Sequence, residues 1–485
     1  MKSVPLLAIS LLIGSTALGQ TDGNRAFRAG AAMSNITPPL GSLIVGGWTP
    51  TPAKNIHDEL HARCLVLDDG QTRLAIVVAD SVGIPRPVLD EAKRMIHEKN
   101  GLPRENVLVS ASHTHSAASS REGVSLGKTG PLDEYQRFVA ARIADGVSRA
   151  IENMQPARLG WGSGHDGTQV FNRRWRMKPG TVLRNPFGGI DEVVMNPSPG
   201  DPNLLEPAGP VDPEISFLSV QALSGRPIAL LANYSLHYVG GVPPNDISAD
   251  YFAVFARRIE EMLGARDQDP PFVGIMSNGT SANINNIDFP RRHPVRKWQP
   301  YEKMRAVANI LAAEVLKSLQ TVEYRNWVPL GAAVTEIPVA VRVPSKADLE
   351  WAEGVLKRPK DAPKLHQREE VYARSTLTMK DYPSEIPLIL QALRIGDVGI
   401  GAIPNEVFVE IGLEVKKRSP LPRTFVISLA NGSYGYLPTV EQHKLGGYET
   451  WRGTNILEIE AAPKIVASIL GLLEKLATES KIRPR

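Results

Sequence analysis

A single cysteine, Cys64, is the most restrictive scarcity in this sequence of 485 residues. One thiol cannot close an intramolecular disulfide, and it excludes every multi-cysteine zinc or iron–sulfur site. Any bound metal must be held by His, Glu, Asp or Tyr. Cys64 lies in the strand-like run His61-Ala-Arg-Cys-Leu-Val-Leu67, where it reads as a small buried apolar residue. Charge of one sign is scarce too. A net charge of +4 at this length leaves no electrostatic footprint for nucleic acid, and no nucleic-acid-binding motif occurs. The apolar stretch Val4-Pro-Leu-Leu-Ala-Ile-Ser-Leu-Leu-Ile13 is too short to cross a bilayer comfortably. With Lys2 before it and Ala17-Leu-Gly19 before Gln20, it reads as a secretory signal peptide over residues 1–19. The expectation is a secreted or periplasmic protein with no transmembrane segment after signal removal. No cysteine stands at the cleavage point to carry a lipid anchor. Without disulfides, stability must come from the core, and 42% hydrophobic residues suffice for one.

Strand and helix patterns alternate along the chain. Residues 60–67 and 73–79 predict a hairpin around Asp68-Asp-Gly70. Residues 86–99 have helical spacing, with Val88, Leu89, Ala92 and Ile96 on one face, and a second helix is expected over 133–152. Residues 177–213 are rich in Pro and Gly and predict a long ordered loop. Residues 346–378 predict a charged, peripheral helical excursion, and 461–478 an amphipathic closing helix. The sum is an α/β protein with mixed β-sheets packed by helices. No disordered linker or repeat divides it, so residues 20–485 are expected to form one domain.

Six apolar runs each end in polar residues. They are Asn106-Val-Leu-Val-Ser-Ala-Ser-His113-Thr-His115-Ser, Ala75-Ile-Val-Val-Ala-Asp80, Ile228-Ala-Leu-Leu-Ala-Asn-Tyr-Ser-Leu-His237, Phe272-Val-Gly-Ile-Met-Ser-Asn278, Val398-Gly-Ile-Gly-Ala-Ile-Pro-Asn-Glu406 and Phe425-Val-Ile-Ser-Leu-Ala-Asn-Gly-Ser-Tyr434-Gly-Tyr436. In α/β sheets, ligands bind beyond the carboxyl ends of strands. Histidines at i and i+2 of an extended segment lie on one side, suiting two metal ligands or one ligand and one proton carrier. Two His segments, a Glu and a Tyr delivered this way point to a metal hydrolase with its site at the strand ends. His57-Asp-Glu-Leu-His61 is not a helical zinc-protease motif. That motif needs Glu directly after the first His as general base, and here Asp58 stands there.

Taken in order, Ile36-Thr-Pro-Pro39, Leu60-His-Ala-Arg63 with Asp80, Ser112-His-Thr-His-Ser116, Asn172-Arg173, Val211-Asp-Pro213, the strand ending in His237, Pro404-Asn-Glu406, Ala430-Asn-Gly-Ser-Tyr-Gly-Tyr436 and Gly447-Tyr-Glu449 resemble the catalytic domain of the neutral (non-lysosomal) ceramidase family. The resemblance implies one zinc held by His113, His237, Glu406 and Tyr436. It implies that His115, Arg173 and Tyr448 assist the water or the substrate. Zinc lowers the pKa of bound water toward neutrality. His115 would then carry a proton to the leaving amine, with Arg173 and Tyr448 stabilising the oxyanion.

The sequence departs from the family in two places. The family's Gly-Asp-x-Ser-Pro-Asn loop becomes Ser277-Asn-Gly-Thr-Ser-Ala-Asn-Ile-Asn-Asn286. The alignment puts Asn283 at the Asp and Asn285 at the Ser, as substrate-binding residues, with Ser281 substituting only if the loop shifts. The sequence also ends before the C-terminal β-domain of ceramide-cleaving members. The expected function is a secreted zinc-dependent amide (N-acyl) hydrolase acting on a small-molecule or lipid-like substrate, related to sphingolipid metabolism. The alternatives are a metal hydrolase for a polar or anionic glycan-derived or ester substrate, and a non-catalytic ligand-binding relic. Loops 38–50, 177–210 and 284–301 are expected to line the cleft. Leu40, Leu43, Ile44, Val45 and Trp48 favour a lipid, whereas Arg291, Arg292, Arg296 and Lys297 favour an anion. The oligomeric state stays open.

Overall fold

The six apolar runs fold as three parallel couples. The computed structural model describes residues 26–118, 120, 126, 130–291, 296–359 and 361–482; the expected signal peptide and Arg292 lie outside the described residues. Eight strands form the larger sheet: β1 (Arg28–Asn35), β2 (His61–Asp68), β3 (Arg73–Ala79), β4 (Val107–Ala111), β5 (Gln155–His165), β6 (Glu214–Ala222), β7 (Pro227–Tyr234) and β8 (Val273–Asn278). Their spatial order is β8-β7-β6-β5-β1-β2-β3-β4. A second sheet holds β9 (Leu330–Ala340), β10 (Glu385–Ile395), β11 (Val398–Ala402) and β12 (Arg423–Ile427), adjacent in that order. The parallel pairs are β3 with β4, β7 with β8, and β11 with β12. Parallel neighbours need a crossover. Helix α1 (Arg86–Asn100) lies between β3 and β4 in the chain. After α2 (Glu134–Glu152), α3 (Asp250–Met262) lies between β7 and β8. After α4 (Glu302–Leu319), α5 (Lys346–Lys357) and α6 (Glu369–Met379), α7 (Val409–Arg418) lies between β11 and β12. A short α8 (Val440–Lys444) and the long α9 (Ala461–Ile482) end the element order.

Strand alternation sorts the core. Leu65 and Leu67 of β2 point to one face, where with Ile76, Val78 and Leu108 they meet Leu393, Ile395, Val398, Ile400 and Phe425 of the second sheet. Cys64 and Val66 point to the other face and pack on Val88, Leu89 and Ile96 of α1 and Ile143 and Val147 of α2. The other half of the large sheet packs on Phe252 and Phe255 of α3 and Leu311 and Val315 of α4. The outer face of the second sheet takes Ile465, Ile469 and Leu473 of α9. The result is two face-packed sheets between helical layers, the mixed α/β arrangement expected from the alternating patterns. Cys64 is buried, and burial pushes its thiol up to about 12. Among the described residues, no helix is long and apolar enough to cross a membrane.

One expectation needs correction and another needs detail. Residues 177–213 are not one irregular loop, because Arg174–Met177 pairs with both Val193–Met195 and Leu204–Pro207 in a small sheet. The charged excursion is helical and peripheral, as α5 and α6 with a small core of their own, and it is tied to the loops around the site by aromatic contacts. Trp351 and Tyr372 pack on Phe187, and Tyr372 and His366 pack on Trp451. Aromatic residues within a charged sequence supplied the contacts that the charge pattern hid.

Candidate metal centre

Beyond their last residues, the parallel couples are stitched together. Ser112 N donates to Ala79 O and His113 N to Ser81 O, both at 2.9 Å, which continues the β3–β4 ladder into the loops. Across the sandwich, Ser428 N donates to Asn278 O at 3.0 Å, and Asn431 N to Val109 O at 2.8 Å. His113 leaves β4 with φ 74, a backbone region few residues other than glycine adopt. Glu406 and Tyr436 are register partners in a short parallel pair beyond β11 and β12. Three strand ends thereby bring His113, His237 and Glu406 to one place.

The imidazoles meet through one kind of nitrogen. His113 Nδ1 lies 2.6 Å from Val82 O, His115 Nδ1 2.7 Å from Gly46 O, and His237 Nδ1 3.2 Å from Ser281 O. A carbonyl oxygen only accepts, so each Nδ1 carries the proton and each Nε2 presents a lone pair. Yet His113 Nε2 lies 3.1 Å from His237 Nε2, 3.3 Å from His115 Nε2 and 3.3 Å from Glu406 Oε2. The coordinating nitrogens of His113, His115 and His237 all fall within 4.8 Å of one another, a possible metal site. Lone pairs at such separations repel unless a cation lies among them. Two ligands at about 2.0–2.1 Å from a tetrahedral ion are about 3.3 Å apart, so the donor set fits a metal. Burial, reinforced by the charges of His113, Arg173 and His115, keeps the His237 pKa well below the usual histidine value, favouring the neutral ligand form.

Arg173 anchors the phenol side. Its Nη2 donates to Tyr436 Oη at 3.1 Å and its Nε to Glu449 Oε1 at 2.9 Å. Burial discourages charge on Arg173, but Tyr436 and Glu449 overcome it and hold the guanidinium above the ordinary arginine value. Arg174 Nη1 donates to the other Glu449 oxygen at 2.6 Å, so one buried carboxylate bridges two buried guanidiniums. Burial and the Glu406 charge push the Tyr436 phenol well above the usual tyrosine value, with Arg173 opposing. Tyr448 stands edge-on to Tyr436 with ring centroids 5.7 Å apart, and its phenol is pushed up to about 12 by burial and Glu406.

The variant loop after β8 is used internally. Asn283 is fully buried; it donates to Glu410 Oε2 at 2.8 Å and accepts from Val409 N at 2.9 Å. Ser281 Oγ donates to Asn278 Oδ1 at 2.8 Å, while its carbonyl is the partner of His237 Nδ1. Asn285 donates to Asn196 Oδ1 at 2.9 Å. All three side chains brace the loop in this arrangement.

Several participants carry no sequence signal. The carbonyls of Val82, Gly46 and Ser281 are backbone atoms. Tyr238, directly after His237, stacks on His115 with centroids 3.8 Å apart. Gly46 had a readable cue in its glycine-rich loop, and the structure explains it: a Cβ there would lie 2.0 Å from His115 O. Gly46→Ala must therefore displace this loop and release the His115 ring. We expect kcat to fall by up to about 10²-fold, on the scale of lost proton-transfer assistance, with metal content unchanged. A variant with wild-type kcat would contradict this role for the loop.

Fold and site together define a mixed α/β sandwich with a three-imidazole cluster, two rings buried and one half-buried, at the carboxyl ends of its parallel strands. That fold is the neutral ceramidase fold. The chain is similar to neutral ceramidase from Pseudomonas aeruginosa, with a TM-score of 0.68 and 17% identity, over 94% of this chain and 75% of that one. It is equally similar to a ceramidase complexed with C2, with a TM-score of 0.69 and 17% identity, over 94% of this chain and 76% of that one. No family model matches the chain.

Proposed function

We propose that this protein is a secreted or periplasmic zinc-dependent hydrolase that cleaves an amide (N-acyl) bond in a small-molecule or lipid-like substrate. The observation that carries the reading is the meeting of three imidazole Nε2 atoms whose Nδ1 atoms are tied to carbonyls. The ceramidase fold supports it. In this reading His113, His237, Glu406 and Tyr436 hold the metal. Two imidazoles, a carboxylate and a phenol suit zinc better than calcium or magnesium. Bound zinc supplies a Lewis acid and water activated near neutral pH.

The chain's own residues divide the remaining work. His113 and His237 are only 2% exposed, whereas His115 is half-buried. The accessible imidazole is the one able to reach a substrate, so His115, held in its tautomer by Gly46 O, takes a proton at Nε2 from the attacking water and passes it to the leaving nitrogen. Arg173 and Tyr448 present donors to charge developing on the carbonyl oxygen. Leu40 and Leu43 of loop 38–50 are exposed and offer an apolar surface for an acyl portion.

The test is turnover of a panel of N-acyl lipids, N-acyl amino acids and carbohydrate substrates, before and after chelation and with zinc restored. We expect zinc-restorable hydrolysis of an N-acyl compound, with long-chain ceramide a poorer substrate than a smaller or more polar one. Chelator-insensitive turnover, or none on any N-acyl compound, would overturn the reading. Efficient ceramide hydrolysis abolished by Tyr436→Phe would overturn the substrate preference alone.

A further inference from the structure

We infer that the substrate carries an anionic group, a carboxylate, sulfonate, sulfate or phosphate, that binds Arg368 at the outer end of an aromatic wall leading from the metal centre. This deepens the hydrolase reading and rests on it for where the scissile bond sits. The wall is continuous. Tyr436 is edge-on to Tyr448, Tyr448 is edge-on to Trp48 with centroids 5.5 Å apart, and the Arg368 guanidinium carbon lies 3.6 Å from the Trp48 ring centroid. The same carbon is 5.9 Å from the Tyr448 ring. Trp48 is 55% exposed, so this indole is not a core residue and has a face for a ligand.

The charge of Arg368 sets it apart from its neighbours. Arg358 pairs with Glu369, Lys364 with Glu370, and Arg452 with Asp348. Among the described residues no carboxylate takes Arg368. Stacking on an indole leaves the guanidinium edge and its donors available, in the fork geometry that matches an oxyanion. Of the basic segment expected to attract an anion, Arg296 is already engaged, pairing with Glu302 and stacking on Trp298. The anion-binding cation instead comes from the residue before α6. The scissile bond and the anionic group of the substrate must then be separated by a planar or apolar spacer able to lie along Tyr448 and Trp48.

The test uses three acylated anilines that differ only at the para position: carboxylate, sulfonate and neutral carboxamide. In the wild type, KM for the two anions should be lower than for the carboxamide by about 10- to 100-fold, the scale of a charge-assisted hydrogen bond. Added salt should raise it. Arg368→Gln should raise KM for the anions to the carboxamide level with kcat little changed, and Arg368→Lys should recover part of the difference. A structural role, in which Arg368 merely pins loop 38–50, would shift all three compounds equally and overturn the proposal, as would a wild type that does not discriminate. Equilibrium dialysis of the same compounds separates this from the hydrolase reading. If nothing is hydrolysed, that reading fails, while an anion preference in Kd that disappears in Arg368→Gln still supports the site. Equal Kd values for all three compounds would overturn it.

Discussion

Replacing His113 with alanine should remove both bound metal and hydrolysis, whereas His115→Ala should keep the metal and lose mainly kcat. The distinction follows from geometry. His113 Nε2 is the shared neighbour of His237, His115 and Glu406, at 3.1, 3.3 and 3.3 Å, so its loss removes the donor that the others have in common. His115 stands at the half-buried edge, and proton-transfer assistance is worth about 10²–10⁴-fold. Metal content by elemental analysis and kcat on the same preparations decide the matter. Equal metal loss in both variants would make His115 a ligand and require another proton carrier.

Glu449→Gln should be among the most destabilising near-isosteric changes in the protein. The side chain keeps its shape and loses its charge, leaving Arg173 and Arg174 buried with no carboxylate between them. Breaking a buried ion pair from one side costs about 3–5 kcal/mol. That matches the 2–5 kcal/mol of a large truncation such as Leu393→Ala, although no volume is removed. Denaturant unfolding should show a lower midpoint, and activity should fall in step, because Arg173 reaches Tyr436 from this pair. An unchanged midpoint would show that Gln442, which accepts from Arg174 Nε, and the surrounding carbonyls suffice to hold the guanidiniums.

The strands that position the site were legible because parallel, doubly covered strands are predominantly apolar, and polar residues gather at and just beyond the end of each. Runs stopping at His113, His237 and Glu406 announced themselves in this way. Helix limits were equally clear: 86–99 was expected and Arg86–Asn100 is observed, with Val88, Leu89 and Ile96 buried. What pattern could not reveal was the partner of each group. Arg173 and Glu449 are 276 residues apart, and no local periodicity links them. Backbone acceptors such as Gly46 O and Val82 O have no residue type to read. Arg368 was lost among like charges in a segment whose aromatic residues, Trp351 and Tyr372, dock it beside the site.

A metal bound among the imidazole Nε2 atoms is the feature on which the proposed chemistry depends. Anomalous diffraction from crystals of the purified protein, collected on either side of the zinc absorption edge, tests it most directly. One strong peak per chain should appear only above the edge, about 2.0–2.1 Å from His113 Nε2 and His237 Nε2, with Glu406 and Tyr436 oxygens completing the shell. A peak elsewhere, or none in protein that hydrolyses its substrate, would contradict it.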